Sequence, residues 1–329
     1  MAEKKIYYGL DLLKFLMALI VVMIHVKPNT HSELLTTIFN PFINLAVPTF
    51  FLISSFLIFS KLRGRNGVLL RWAKRLVILY GVWLIIDAWY VIFRREYFEL
   101  GFGEGLFTFA KDLLLGHTFP GSWFLSALLV GVTVVYFTTK FLHPYIMCII
   151  SLIVALYVRN IEIFPDIWKV PYMWYAEHVR EEVNLSFPSH LIWISIGQVF
   201  SLNSHKINNA RADMLPITIV IFVLSFASFM WFETPITIYV FVIATFLIFF
   251  MINLSCHPIY KRIREISILM FLFHFSIAGK MALFCSIVGD TLWTNYLYYF
   301  LVVGASVLFA EAILRLENRN GWGFLKYTH

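Results

Sequence analysis

Apolar stretches, most of them long enough to cross a lipid bilayer, follow one another from end to end of this chain. They cover residues 8–26, 42–59, 70–93, 122–142, 145–158, 187–202, 214–231, 236–254, 266–287 and 292–314. About twenty apolar residues cross a hydrocarbon core as a helix. A helix satisfies its own backbone there, where no water can. The expected fold is therefore all-α: a polytopic integral membrane bundle of about ten spans, read as a single domain over residues 1–329. Composition agrees. The chain is 60% hydrophobic and 14% charged, where a soluble domain is nearer half and a quarter. By length alone, 329 residues could form two soluble domains, but this surface calls for lipid as its solvent. The fifth stretch is short. A Gly- and Phe-rich piece, 99–111, reads as interfacial or re-entrant.

The net charge of +7 would suit nucleic acid, yet the basic residues lie in short loops between apolar runs, so no nucleic acid partner is expected. The simpler partners are the bilayer and its anionic headgroups. Lys4, Lys5, Lys61, Arg63, Arg65, Arg71, Lys74 and Arg75 crowd one side near the N-terminus, and Lys261, Arg262, Arg264, Arg315 and Arg319 crowd it near the other end. The opposite side holds fewer, among them Lys27, Arg94, Arg95 and Arg180. The positive-inside rule then puts both termini in the cytoplasm, which requires an even number of spans. The first stretch is too long for a signal-peptide core and reads as a retained span. Cys148, Cys256 and Cys285 show neither metal nor redox spacing. They read as small packing residues, and no metal is implied.

Ionisable residues inside a membrane are expensive and draw notice first. The first span holds Asp11, Lys14 and His25. Lys14 and His25 are eleven residues apart, which returns to within roughly 20° of one helix face and rises about 16 Å. One stripe thus carries a cation near the inner side and an imidazole near the outer. Asp11, one turn before Lys14, is placed to pair with it. The bland reading has Lys14 snorkelling to the headgroups and His25 closing the helix. Arg71, Lys74 and Arg75 open the third span. They follow from charge bias alone, or else form a phosphate clamp. Asp87 is expected in the outer half of that span. The longest outer loop, 159–186, mixes Glu162, Asp166, Glu177, Glu181 and Glu182 with Trp168, Tyr172, Trp174 and Tyr175. Its aromatics read as interfacial anchors or as platforms for a sugar ring.

These residues resemble a family pattern. Asp11-Leu12-Leu13-Lys14, ten residues and then His25 is similar to the first span of the membrane acyltransferase-3 family, with Lys14 where that family carries arginine. Val47-Pro48-Thr49-Phe50-Phe51-Leu52-Ile53-Ser54-Ser55 resembles its second span, and Ser55 stands where glycine is common. Arg71-Trp72-Ala73-Lys74-Arg75, Ser122-Trp123-Phe124-Leu125, and Ser267 followed by His274 resemble later segments, in order.

The resemblance implies an O-acyltransferase of the cell (inner, cytoplasmic) membrane, bacterial in type. It would move an acyl group, acetyl first among them, from cytoplasmic acyl-CoA to a hydroxyl of a cell-surface or lipid-linked saccharide. Acetyl-CoA or another acyl-CoA is the implied co-substrate. Its phosphates would lie on Lys14, Arg71, Lys74, Arg75 and Arg264, with Ser54 and His274 along the donor path. The pantetheine arm would reach His25, acting as general base or as an acyl-carrying nucleophile. Asp87 is the candidate orienting partner. Trp123 and His190, near the outer surface, are candidates for the saccharide. His274 is expected deeper, in the cytoplasmic half of its span. A carrier or flippase of lipid-linked saccharides is the rival reading, since many spans with buried charge suit that class. It lacks the related halves such carriers show. Acceptor identity, acyl length and oligomeric state stay open.

Overall fold

The apolar stretches fold as helices. The computed structural model describes residues 7–63, 67–93, 96–232, 234–319 and 322–329. Lys4, Lys5, Arg65, Arg94 and Arg95 lie outside them. The described residues form α1 (Tyr8–Val26), α2 (Glu33–Leu62), α3 (Val68–Ile86), α4 (Ala88–Phe93), α5 (Glu96–Glu99), α6 (Phe102–Leu115), α7 (Ser122–Thr138) and α8 (Pro144–Arg159). They continue with α9 (Asp166–His178), α10 (Phe187–Asn209), α11 (Arg211–Phe232), α12 (Pro235–Met251), α13 (Pro258–Ala278), α14 (Met281–Val288) and α15 (Leu292–Glu317). No strand occurs among the described residues. The protein is an all-α membrane protein, as its hydropathy requires. Among the described residues, five helical segments, including α1, α2, α11 and α15, are long and apolar enough to cross a bilayer, and α7, α8 and α12 are shorter apolar helices.

Two stretches break where the sequence reading ran them through. The run 70–93 stops at Ile86, with Asp87 as its C-cap, before α4 resumes. The run 266–287 breaks at Gly279 and Lys280, between α13 and α14. At its other end α13 begins earlier, at Pro258. Proline suits the first helical position because that N–H has no intrahelical partner, and the His257 ring accepts the Ile259 N–H at 3.2 Å. α2 runs on through Pro41 and Pro48, a tolerance typical of membrane helices. Just past Pro48, the Thr49 hydroxyl donates back to the Leu45 carbonyl at 2.8 Å.

The chain divides into two compact units, Met1–Ile53 with Asn203–His329, and Ser54–Leu202. In the first, α1 lies on α13, flanked by α12 and α15, and α11 pairs with α12. Close approach sets the α1–α12 contact: a Cβ on Gly9 would overlap the Phe249 carbonyl. Small residues serve this purpose in bilayers, where helices gain from packing rather than from escaping water. α13 meets α15 through stacked Phe273 and Phe309 rings, 3.8 Å between centroids. At the basic end, Glu311 accepts from Arg262 Nε at 2.9 Å and Nη2 at 2.6 Å.

In the second unit α3 and α6 pack on α7. Gly131 of α7 admits the Ile194 side chain of α10, and buried Ser151 and Ser195 share a 2.8 Å hydrogen bond between α8 and α10. Back on the first unit, apolar side chains of α11 such as Ile217, Val220, Val223 and Leu224 are exposed, as lipid-facing residues are.

Candidate active site

The residue constellation of the first span lies on the first unit. α1 is unbroken from Tyr8 to Val26, so the stripe carrying Lys14 and His25 keeps its rise of about 16 Å. The helix ends because Lys27 takes a left-handed conformation (φ 52°) and its N–H bonds the Met23 carbonyl at 2.8 Å. Such a cap costs a non-glycine residue roughly 1–2 kcal/mol. It sets His25 in the last turn.

α13 runs beside α1 in the same direction, and the two are joined at both ends. At one, the Asp11 carboxylate lies 3.6 Å from Arg264 Nη1, with buried Lys14 one turn on and within its field. At the other, the His25 and His274 rings stand 5.0 Å apart, tilted by 41°, with Phe275 edge-on to His25 at 5.1 Å. His25 is exposed; His274 is 4% exposed. His274 Nδ1 faces the Met270 carbonyl at 3.1 Å. A carbonyl only accepts, so Nδ1 carries the proton. Nε2 then holds a lone pair, buried with no hydrogen-bond partner among the described residues. The pair therefore presents an accessible imidazole beside a buried acceptor of fixed tautomer.

This placement corrects one expectation. His274, expected well away from His25 along the bundle, stands level with it, ring beside ring. The physical reason is the break at Gly279 and Lys280, which ends α13 one turn after His274 instead of letting it run to 287. Ser267, quoted with His274, turns its hydroxyl back to the Arg264 carbonyl at 2.7 Å.

A polar strap closes the same end of the unit. The Asn29 side chain accepts from the Tyr296 hydroxyl, and the Thr36 hydroxyl donates to the Asn29 carbonyl at 2.9 Å. His31 Nε2 donates to Asp290 at 2.6 Å and Asn295 Nδ2 donates to the same oxygen at 3.0 Å. These hydrogen bonds, that of His31 first, hold the Asp290 carboxyl below its ordinary range.

The remaining candidates lie on the second unit. Arg71, Lys74 and Arg75 are exposed along the first turns of α3, with no ion pair to a described residue. Ser54 is half-buried, and the adjacent Ser55 hydroxyl reaches the Trp193 carbonyl at 3.4 Å. Asp87 is buried at the end of α3. The Trp123 and His190 rings meet at 5.6 Å, tilted by 32°.

Beside them is a residue the sequence reading passed over as a loop charge. Arg180 is 6% exposed; its Nη1 lies 3.3 Å from the Leu115 and Gly116 carbonyls, and its Nη2 lies 3.2 Å from Glu182. Burial pulls the guanidinium below its usual value, opposed by Glu182. Nearby, the Tyr97 hydroxyl donates to the buried Asp112 carboxylate, and His117 Nδ1 is 3.6 Å from that carboxylate.

An accessible histidine and a buried cation on one face of the first span of a helical membrane protein form an arrangement suited to acyl transfer. Comparison with known proteins makes the assignment definite: residues 7–315 match the acyltransferase-3 family, described as an acyltransferase domain, and the chain belongs to that family. It is also 27% identical over 148 residues to a protein named amino-acid racemase from Enterococcus faecalis. That match covers 44% of this chain and 20% of the relative, so the chain spans about a fifth of the relative's length. No solved structure matches.

Proposed function

We propose that this acyltransferase moves an acyl group, acetyl in the first instance, from acyl-CoA in the cytoplasm to a hydroxyl of a cell-surface or lipid-linked saccharide. The observation that carries the reading is the α1–α13 pair: His25, accessible beside His274, at one end, and Lys14 with Arg264 at the other. The ~16 Å of helix between Lys14 and His25 is comparable to the reach of a pantetheine arm. Lys14 and Arg264 would face the nucleotide phosphates, with Asp11 holding the Arg264 guanidinium in place.

His25 would take the proton of the acceptor hydroxyl as its oxygen attacks the thioester carbon. It would return that proton to the departing CoA sulfur when the tetrahedral adduct collapses. General-base help of this kind is typically worth 10²–10⁴ in rate. His274, locked with its proton on Nδ1, offers its Nε2 lone pair to a proton on the facing ring or on a bridging water. This would hold His25 with its basic nitrogen toward the acceptor. Membership of an acyltransferase family favours this chemistry over passive carriage of a saccharide.

Equilibrium dialysis of the detergent-purified protein with labelled acetyl-CoA tests the donor end. Lys14→Ala loses a charge-assisted contact and should weaken binding roughly ten- to a hundredfold, whereas His25→Ala should bind as wild type does. Equal binding by Lys14→Ala and wild type would remove Lys14 from the donor site.

A further inference from the structure

Between the end of α6, the first half of α7 and the loop before α10 lies a cavity of about 110 Å³, lined by Leu114, Trp123, Val130, Leu185, Phe187 and Arg180 among others. Its wall is almost wholly hydrocarbon. The charge that faces it is a guanidinium, which stays protonated in proteins.

A guanidinium has two working edges, and here they differ. Nη1 is used structurally, on the Leu115 and Gly116 carbonyls that the end of α6 leaves open. The opposite edge, Nε with Nη2, is built to hold two oxygens side by side. Arg262 shows it filled, with both Glu311 oxygens in place at 2.9 and 2.6 Å. In Arg180 it is half filled. Glu182 takes Nη2 at 3.2 Å, and Nε is buried with no hydrogen-bond partner among the described residues. Glu182 is itself 66% exposed, so it is free to swing away. A buried donor left unmade is costly, and the serine hydroxyls on the wall, Ser126 and Ser186, are turned to the Leu114 and Val183 carbonyls instead.

We propose that this cavity is a binding site for a phosphate-bearing lipid. The phosphate takes the Nε–Nη2 edge of Arg180 in place of Glu182, and the adjoining hydrocarbon fills the space between Trp123, Val130 and Leu185. Two features select this chemistry over a free anion. The lining is apolar apart from a few groups, and Leu114 at the cavity is itself exposed among lipid-facing residues. The site stands on the second unit by itself and does not depend on the acyl-transfer reading. Two sources offer the same chemistry: a phospholipid of the bilayer, and the phosphate of a polyprenyl-linked saccharide.

Native mass spectrometry of the full-length protein, delipidated and then given one lipid at a time, separates them. The probes are dioctanoyl phosphatidylglycerol, a short polyprenyl phosphate and, as neutral control, dioctanoylglycerol. Wild type should retain one phosphate lipid and no more of the neutral lipid than background. Glu182→Gln removes the competing carboxylate from an exposed position, where folding is not at risk, and should tighten binding several-fold. Arg180→Lys keeps the charge but loses the fork and should weaken it roughly tenfold. Retention of both phosphate lipids identifies a headgroup site, and retention of the polyprenyl phosphate alone identifies a carrier-lipid site; either supports the proposal. Retention no better than the neutral control in both wild type and Glu182→Gln, as for a cavity that holds only water, would overturn it.

Discussion

Replacing His274 by phenylalanine separates a positioning role from a packing role. The ring is 4% exposed and lies between His25 and Phe271, so phenylalanine fills nearly the same volume and opens no cavity. One contact is lost, from Nδ1 to the Met270 carbonyl at 3.1 Å. That carbonyl also accepts the backbone N–H four residues on, as helix geometry provides. The cost to stability is therefore at most about 1 kcal/mol, the net worth of an ordinary hydrogen bond. The cost to catalysis is larger if the Nε2 lone pair orients His25. Losing an orienting hydrogen bond worth about 1.5–3 kcal/mol would lower kcat some ten- to a hundredfold. KM for acyl-CoA should stay near wild type, because the proposed site for the donor phosphates is at the far end of α1. The assay is initial-rate CoA release across acyl-CoA concentrations, beside a thermal melt of each variant. His274→Gln retains a side-chain acceptor and should recover part of the loss. If His274→Phe turns over within twofold of wild type, His274 only packs, and the orienting argument fails.

Lys14→Arg places the family's usual residue on α1 and should lower KM for acyl-CoA while leaving kcat unchanged, because the fork grips phosphate with two bonds; a higher KM would mean the pocket is shaped for lysine. Gly9→Ala should destabilise the first unit, since its Cβ meets the Phe249 carbonyl, and should lower the melting temperature where Gly81→Ala, in open space, does not. Asp290 has a depressed pKa, so its hydrogen bonds to His31 and Asn295 stabilise the fold above the unfolded value near ~4 and lose that effect as pH falls through the folded value. Asp290→Asn should therefore flatten the loss of melting temperature on the acid side, and an unchanged acid limb would show that the strap contributes nothing there.

Much of the fold was open to reading from the sequence because the bilayer allows so few solutions. Residues 8–26 could only be a helix, and α1 spans those same residues. The angular match of Lys14 and His25 followed from helix geometry alone. What escaped was decided by single residues whose effect is tertiary. Asp87 reads as lying in the outer half of one unbroken span, yet it ends α3. Gly279 and Lys280 look like a tolerable interruption, yet they stop α13 and so raise His274 to the level of His25. That meeting joins residues 249 positions apart, with no local signal to announce it. Arg180 was missed for the opposite reason. A charged loop residue is usually solvated, and only the fold shows this one buried against the end of α6. The motif resemblance did name His25 and His274 together, but it did not say that they touch.

The central claim is that His25 performs acyl transfer, and the most direct test is transfer of radiolabel from [acetyl-labelled] acetyl-CoA to a cell-envelope saccharide fraction by the purified, reconstituted protein. Wild type should move label from CoA to saccharide. His25→Ala should hold acetyl-CoA as tightly but lose turnover by roughly 10²–10⁴, the usual worth of a general base. Label transfer by His25→Ala at the wild-type rate would contradict the claim, as would the absence of any transfer by wild type from acetyl-CoA or a longer acyl-CoA.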